Sequence, residues 1–213
     1  KEKRAGAGLL IQPGGARPET VRDYTFLRYR KSLVALQLNG ERWTLSLDNS
    51  LLFSHFHEQE LLLGTSSSLF RIDPKTGKKL WNSPHERGGY QSPEDLLVIG
   101  GLVWSAPITS TRDSGVWTGR DLRTGETKKS FPPKVNQYWF HHRCHIAKAT
   151  ERFLLASRTG IEFVDIEKSH WDLNHWVRGG CLYGIMPCNG LVYAPPHNCA
   201  CYPEAKLFGL NAL

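Results

Sequence analysis

Between Tyr138 and Tyr202 the chain gathers six of its nine histidines, all five of its cysteines, and Arg143, Arg158 and Arg178. Seven of these residues suit a borderline or soft metal ion: Cys144, His145, Cys181, Cys188, His197, Cys199 and Cys201. Zinc is satisfied by four such donors in a tetrahedron, and copper takes the same ligand types. His197-x-Cys199-x-Cys201 puts three of them on one short segment, though not with the spacing of a zinc finger. The plainer alternative makes the cysteines small buried hydrophobes and the histidines hydrogen-bonded loop residues. An odd cysteine count argues against a complete disulfide framework. One or two bridges with a thiol left over remain open, and no pairing follows from the sequence.

The same stretch holds the residue types for elimination on an acidic sugar polymer. That chemistry needs a base for the proton α to the carboxylate, an acid for the leaving oxygen, and a cation to neutralise the carboxylate. His141 or His142 would serve as base, and Tyr138, Tyr183 or Tyr193 as acid or base. Arg143, Arg158 or Arg178 would be the neutraliser. This is an inventory rather than a motif. A core strand accounts equally for Tyr138-Trp139-Phe140, and salt bridges account for Arg158 and Arg178.

The elements that must position these residues come from a repeat. Its clearest copy is Leu69-Phe70-Arg71-Ile72-Asp73-Pro74-Lys75-Thr76-Gly77-Lys78-Lys79-Leu80-Trp81. Val116 to Glu126 and Ile161 to Lys168 are further copies, and Leu207 to Asn211 is a fourth. The anchoring residues Asp73, Asp121, Asp165 and Asn211 are spaced 48, 44 and 46 residues apart. A fixed period in this range signals repeat architecture. Each copy reads as a β-hairpin: apolar–polar alternation ends at Asp, a turn follows, and a second strand begins. Asp offers an acceptor to the turn backbone and Gly supplies a positive φ. The aspartates are therefore turn-formers, not catalytic carboxylates.

Gly101 to Pro107 parallels Gly190 to Pro195, and Asn39-Gly40 marks an earlier hairpin between Leu33–Leu38 and Arg42–Leu47. Further strands are expected over Leu51–His57, Glu60–Gly64, Leu96–Trp104, Gly115–Lys129, Tyr138–His145, Phe153–Ser157, Ile161–Asp165, His170–Trp176 and Cys181–Pro187. No amphipathic helix longer than two turns is expected. Four short strands per unit predict an all-β chain, a β-propeller of four-stranded blades. Residues 1–20 read as an irregular lead-in and 21–213 as the blades.

The x-Asp-x-x-Thr-Gly-x-x-x-Trp hairpin resembles the repeat of quinoprotein-type (PQQ-like) β-propellers. Arg71 to Trp81 carries that resemblance best, and Arg120 to Gly125 less fully. Tyr138 to Leu213 resembles the end of PQQ-like propeller proteins of planctomycete-type bacteria. It does so through His141-His142-Arg143-Cys144-His145, Ser157 to Phe163 and Tyr193 to Tyr202. The resemblance implies a fold and brings no established activity with it. Nor does it imply a bound quinone. Quinoprotein dehydrogenases need a full eight-bladed ring, a calcium or lanthanide ion and typically a disulfide between adjacent cysteines, whereas Cys199 and Cys201 are separated by one residue. About five repeats fit in 213 residues, so the expectation is part of a larger seven- or eight-bladed ring.

Loops of successive blades converge at the mouth of a propeller. The expectation is therefore a binding or scaffold propeller with a Cys/His/Arg-rich mouth that holds zinc or copper. The alternative is a polysaccharide lyase. The net charge of +7 draws on Lys1, Lys3, Arg4, Lys128, Lys129 and Lys134. It reads as a solvated face or as affinity for a polyanion, with no recognised nucleic-acid-binding motif. The expected partner is an acidic polysaccharide, or another protein that completes the blade set. No run of 18 apolar residues is present to span a membrane as a helix. The chain does not begin with methionine, which fits a removed signal and a periplasmic or extracellular setting. Trp81, Trp104, Trp117, Trp139, Trp171 and Trp176 are expected to pack between blades, with Trp171 and Trp176 also able to form a sugar-stacking platform.

Overall fold

The computed structural model describes residues 17–65, 67–84, 96–105, 117–131, 145, 147–156, 160–180, 183–196 and 207–213. Among these there is no helix. The strands form five antiparallel up-and-down sheets. The first holds β1 (Arg17–Val21), β2 (Tyr24–Arg28), β3 (Ser32–Gln37) and β4 (Arg42–Ser46). The second holds β5 (Leu51–His57), β6 (Glu60–Thr65), β7 (Ser68–Ile72) and β8 (Lys79–Pro84). The third holds β9 (Leu96–Ile99), β10 (Leu102–Ser105), β11 (Trp117–Asp121) and β12 (Thr127–Phe131). The fourth holds β13 (Lys148–Ala149), β14 (Phe153–Ala156), β15 (Ile161–Asp165) and β16 (His170–Asn174). The fifth has β17 (Met186–Cys188), β18 (Leu191–Ala194) and β19 (Asn211–Ala212). This is the β-propeller class that the repeat predicts.

The chain divides into two compact units: residues 1–85 with 123–125, and residues 86–122 with 126–213. The first unit buries Phe26, Leu33, Ala35, Leu61, Leu63, Phe70 and Ile72 in one cluster. The second buries one cluster around Trp104, Trp117, Leu154, Val164 and Trp171, and another around Leu155, Ile161, Val177 and Val192. Alternating strand residues feed these clusters, as period-2 patterning requires. Trp81, Trp104, Trp117 and Trp171 are core residues as expected. Trp176 is not: β16 ends at Asn174, and Trp176 is 59% exposed.

The repeat hairpin does two jobs with one glycine. Asp73 Oδ1 accepts the Lys75 amide, its Oδ2 accepts the Thr76 hydroxyl, and its carbonyl accepts the Gly77 amide. Gly77 then takes φ +73, which an L side chain resists. The indole of Trp43 lies on the same glycine: a Cβ there would stand 2.6 Å from the ring. Trp43 Nε1 donates to the Pro74 carbonyl at 2.8 Å. Trp81 sits in the same way on Gly125, φ +76, where a Cβ would stand 2.7 Å from its ring.

The second unit departs from this rule in two places at once. By register, Lys129 stands opposite Gly119, two residues before Asp121, as Trp81 stands opposite Arg71, two before Asp73. Its ammonium donates to the Ile166 carbonyl at 2.6 Å, and the turn's glycine position is held by Ser169 at φ +52. A flexible ammonium keeps the carbonyl bond and does not need a bare backbone beneath a ring.

Two local expectations differ from the structure, and a third is not tested by it. β1 begins at Arg17, inside the stretch read as lead-in, because pairing with β2 organises a segment whose composition looks irregular. Of the strand expected over Cys181–Pro187, Cys181 and Leu182 lie outside the described residues, Gly184 bridges back to Gly180, and β17 starts only at Met186. The strand expected over Tyr138–His145 lies almost wholly outside the described residues.

Candidate functional site

Most of the residues singled out by sequence lie outside the described segments: Tyr138, His141, His142, Arg143, Cys144, Arg158, Cys181, His197, Cys199 and Cys201. Four are described in addition to Tyr183: His145, Arg178, Cys188 and Tyr193, all in the second unit. His145 is 2% exposed and packs on a glycine bed. A Cβ at Gly179 would stand 2.8 Å from its ring, and one at Gly184 would stand 3.4 Å from its Cβ. The Tyr183 and Gly184 amides both donate to the Gly180 carbonyl, which holds Gly184 beside Gly180. Arg178 is half-buried beside it in sequence, and Tyr183 is 89% exposed.

Cys188 ends β17 with a free thiol, and Tyr193 lies on β18 opposite Met186. Among the described residues no three His, Cys, Asp or Glu side chains come together as a metal site. His145 and Cys188 are thus the two described members of the expected ligand set, and neither belongs to such a group.

The site that the described geometry does build was not foreseen. A recess of about 580 Å³ opens in the first unit between three hairpin tips. Arg22 and Asp23 come from the β1–β2 tip, Glu58 and Gln59 from the β5–β6 tip, and Asp73, Pro74 and Lys75 from the repeat hairpin. Tyr24, Phe56, Glu60, Arg71 and Leu80 complete the lining. Tyr24 stacks on Phe26 at 5.7 Å between centroids and tilts against Phe56 at 6.0 Å, so the aromatic side is braced from below. Arg71 grips Glu60 with two bonds of 2.5 and 2.7 Å, and its third nitrogen donates to the Arg123 carbonyl. A fork-to-fork pair of this kind fixes both side chains.

The recess is electronegative. Three cations and four carboxylates line it, although the whole chain carries +7. Burial raises the Tyr24 phenol above its ordinary pKa, and the negative charges of Asp73, Asp23 and Glu41 raise it further. The Asp73 carboxyl lies below its ordinary value. Burial pushes it up, but the Thr76 hydroxyl and the Lys75 and Thr76 amides outweigh that push.

Two of the tips hold residues where their backbone favours glycine. Glu58 (φ +45) and Gln59 (φ +74) form a two-residue loop between the paired His57 and Glu60. Two of the corresponding tips further along the chain, β9–β10 and β17–β18, have the same signs of φ but carry Gly100-Gly101 and Asn189-Gly190, the residue types such turns prefer. Arg22 also takes a positive φ, +53. A non-glycine residue in this region costs about 1–2 kcal/mol. The signal was therefore present in the sequence as charged residues at hairpin tips. It is read only once the strand register identifies these tips as equivalent.

Comparisons with known proteins bear on the fold. No protein-family model and no curated protein matches the chain. Among solved structures it is similar to BamB from Moraxella catarrhalis, with a TM-score of 0.57 at 14% identity over 80% of this chain and 54% of that one. It is also similar to the computationally designed Ika8 protein, with a TM-score of 0.52 at 12% identity over 85% of this chain and 55% of that one. Quinohemoprotein alcohol dehydrogenase from Comamonas testosteroni aligns over 56% of this chain and 22% of its own length, with a TM-score of 0.40 at 17% identity. The chain spans about half the length of the first and of the designed protein.

Proposed function

We propose that this β-propeller chain is a binding scaffold working outside the cytoplasm, and that it receives its ligand in the recess between the hairpin tips of the first unit. The observation that carries this reading is the recess itself. It has a braced aromatic side and charged residues held at strained turn tips, and its volume falls within the range of about 300–1,000 Å³ that is usual for ligand sites.

Its chemistry favours holding over reacting. Among the described lining residues there is no histidine, cysteine or serine. Glu60 is committed to Arg71 and Asp73 to its turn. A carboxyl held below its ordinary range, as Asp73 is, stays ionised near neutral pH and does not serve as an acid there. A uronate polymer suits the net charge of the chain but not this electronegative surface.

A zinc or copper ion in the Cys/His set of the second unit stands beside this as a separate proposal. Buried His145 and the Cys188 thiol would be two of its donors, the others falling to the ligand residues outside the described segments.

The test of the binding reading is a plug. Leu80 lines the recess and is 44% exposed, so Leu80→Trp fills the opening with little cost to folding. A mixed panel of short peptides and oligosaccharides is screened by NMR against the labelled chain. Binders are expected to shift Tyr24 and Phe56 resonances in the parent and to lose affinity by roughly tenfold or more in the plugged variant. Binders that ignore the plug, or a panel that never moves these resonances, would overturn the reading. Fractionation of source cells checks the location.

A further inference from the structure

Independently of the recess, we propose that the outer face of the fifth sheet docks onto the outer face of the first sheet in a second copy of this chain. The contact runs head to tail and repeats the sheet-on-sheet stacking that builds the cores.

The burial of the second strands comes first. In the fourth sheet, β14 is covered from both sides. Leu154 packs into the cluster with Trp104 and Trp117 of the third sheet, and Leu155 into the cluster with Val192 of the fifth. Successive side chains point to opposite faces, so an unbroken buried run marks a strand with two covered faces. The second strands of the second and third sheets show the same run: Leu61, Leu62 and Leu63 in β6, and Val103, Trp104 and Ser105 in β10. In the fifth sheet, β18 does not. Val192 and Ala194 are buried, whereas Leu191 is 41% exposed and Tyr193 half-buried. Yet Leu191-Val192-Tyr193-Ala194 is as continuously apolar as Phe153-Leu154-Leu155-Ala156 of β14. The strand has the composition of a doubly covered one and the burial of a singly covered one.

Register extends this face. Tyr193 pairs with Met186 on one side and Ala212 on the other, so the three share a face with Leu191. Met186 is 59% exposed. The opposite face carries Ile185, Val192 and Leu213 into the core. β17, β18 and β19 hold no charged residue, so no ionised group keeps the outer face in water. Exposed Leu207, tied to exposed Trp176 by a 2.8 Å backbone bond, adds apolar surface in the segment leading to β19. Apolar surface gathered in this way marks an interaction site.

The chain itself supplies the matching occupant. Among the described sheets, the first is the other one whose second strand is covered on a single face: in β2, Phe26 is buried, and Thr25 and Leu27 are not. In register, the outer face runs from Thr20 through Thr25 to Leu36, and from Leu27 through Val34 to Thr44. Leu36 is exposed, and Arg42 stands beside it at the rim. The middles of the two faces carry no charge, so they can meet without burying an unpaired ion. A contact between two different faces is heterologous and propagates from copy to copy, as a ring or an open chain.

The experiment follows mass over a concentration series, by light scattering and sedimentation, for the parent chain, Leu191→Glu and Leu36→Glu. Both leucines are exposed, so the substitutions charge one face at little cost to folding, which circular dichroism checks. Met186→Glu and Thr44→Glu, on the same two faces, are the second pair should either variant unfold. The parent is expected to form dimers and larger species as its concentration rises. Each variant alone should associate at least roughly tenfold more weakly. Mixed in equal amounts, the two variants should regain the parent's affinity but stop at a 1:1 dimer, because each contributes the face that the other has lost. A parent that stays monomeric throughout would overturn the second copy as occupant. Loss of association in Leu191→Glu alone would overturn the head-to-tail pairing, since like faces would then be meeting. Association untouched by either change would put the contact elsewhere and overturn the proposal.

Discussion

Replacing Gly77 with alanine, and comparing the result with the same change at Gly40, separates the two jobs done by the repeat glycine. Both glycines lie in the first unit at similar positive φ, +73 and +87. Each substitution therefore incurs a similar conformational cost of about 1–2 kcal/mol. The surroundings differ. A Cβ at Gly40 meets nothing within 4 Å, whereas at Gly77 it would stand 2.6 Å from Trp43, where an ordinary contact begins near 3.4 Å. The indole must retreat by nearly 1 Å, and its bond to the Pro74 carbonyl, now 2.8 Å, is stretched or lost.

Overpacking of this kind costs about 1–3 kcal/mol, and the hydrogen bond adds about 0.5–1.5 kcal/mol. Trp43 is only half-buried and can partly yield, which favours the lower part of the sum. Gly77→Ala should therefore destabilise the chain by roughly 1.5–3 kcal/mol more than Gly40→Ala. Urea unfolding followed by tryptophan fluorescence and far-UV circular dichroism measures the difference. In a chain of this size it corresponds to roughly 3–12 °C in Tm. Equal losses for the two variants would refute the packing role and leave the turn geometry as the whole explanation. Rescue of Gly77→Ala by Trp43→Leu, which removes the ring, would support it.

Two further outcomes follow from the second unit. The Asp165 carboxyl is held below its ordinary range, chiefly by the Lys168 amide; burial opposes this, and Arg152 and the Glu167 amide reinforce it. A lowered folded pKa contributes stability above the unfolded value of about 3.9, and that contribution is lost as pH falls through the folded pKa. Asp165→Asn should lower stability near neutral pH and flatten the acid limb below about pH 4 in a circular-dichroism titration; an unchanged limb would show that this carboxyl is not a source of the acid sensitivity. Elemental analysis of chain purified without chelators should find about one equivalent of zinc or copper, reduced in Cys188→Ser; a metal-free protein ends that proposal.

The sequence carried the fold further than it carried the site. The Asp-x-x-Thr-Gly hairpins, the alternation around Asn39-Gly40 and the strands from Leu51 to Trp81 all stand where the sequence places them, because turn chemistry and period-2 patterning act over a few residues. Expectations that depended on which chain segment lies alongside another fared differently. Trp176 reads like the other tryptophans but extends past the end of its strand into solvent. Cys181–Pro187 reads as a strand, but the Tyr183 and Gly184 amides bond back to the Gly180 carbonyl and the strand starts only at Met186.

The densest chemistry in the sequence, from Tyr138 to Tyr202, drew attention away from Arg22-Asp23 and Glu58-Gln59, which look unremarkable as dipeptides. Their meaning comes from register. Only pairing shows that they occupy hairpin tips that take Gly-Gly and Asn-Gly elsewhere, and only packing brings them together with Tyr24, Phe56 and Leu80 around one opening. Local composition determined that this chain is a run of β-hairpins with aspartate-held turns. Tertiary structure decided that one glycine serves both a turn and an indole, and that a basic chain encloses an electronegative recess. Contacts between residues dozens of positions apart set both, through packing and summed fields that no short stretch of sequence contains.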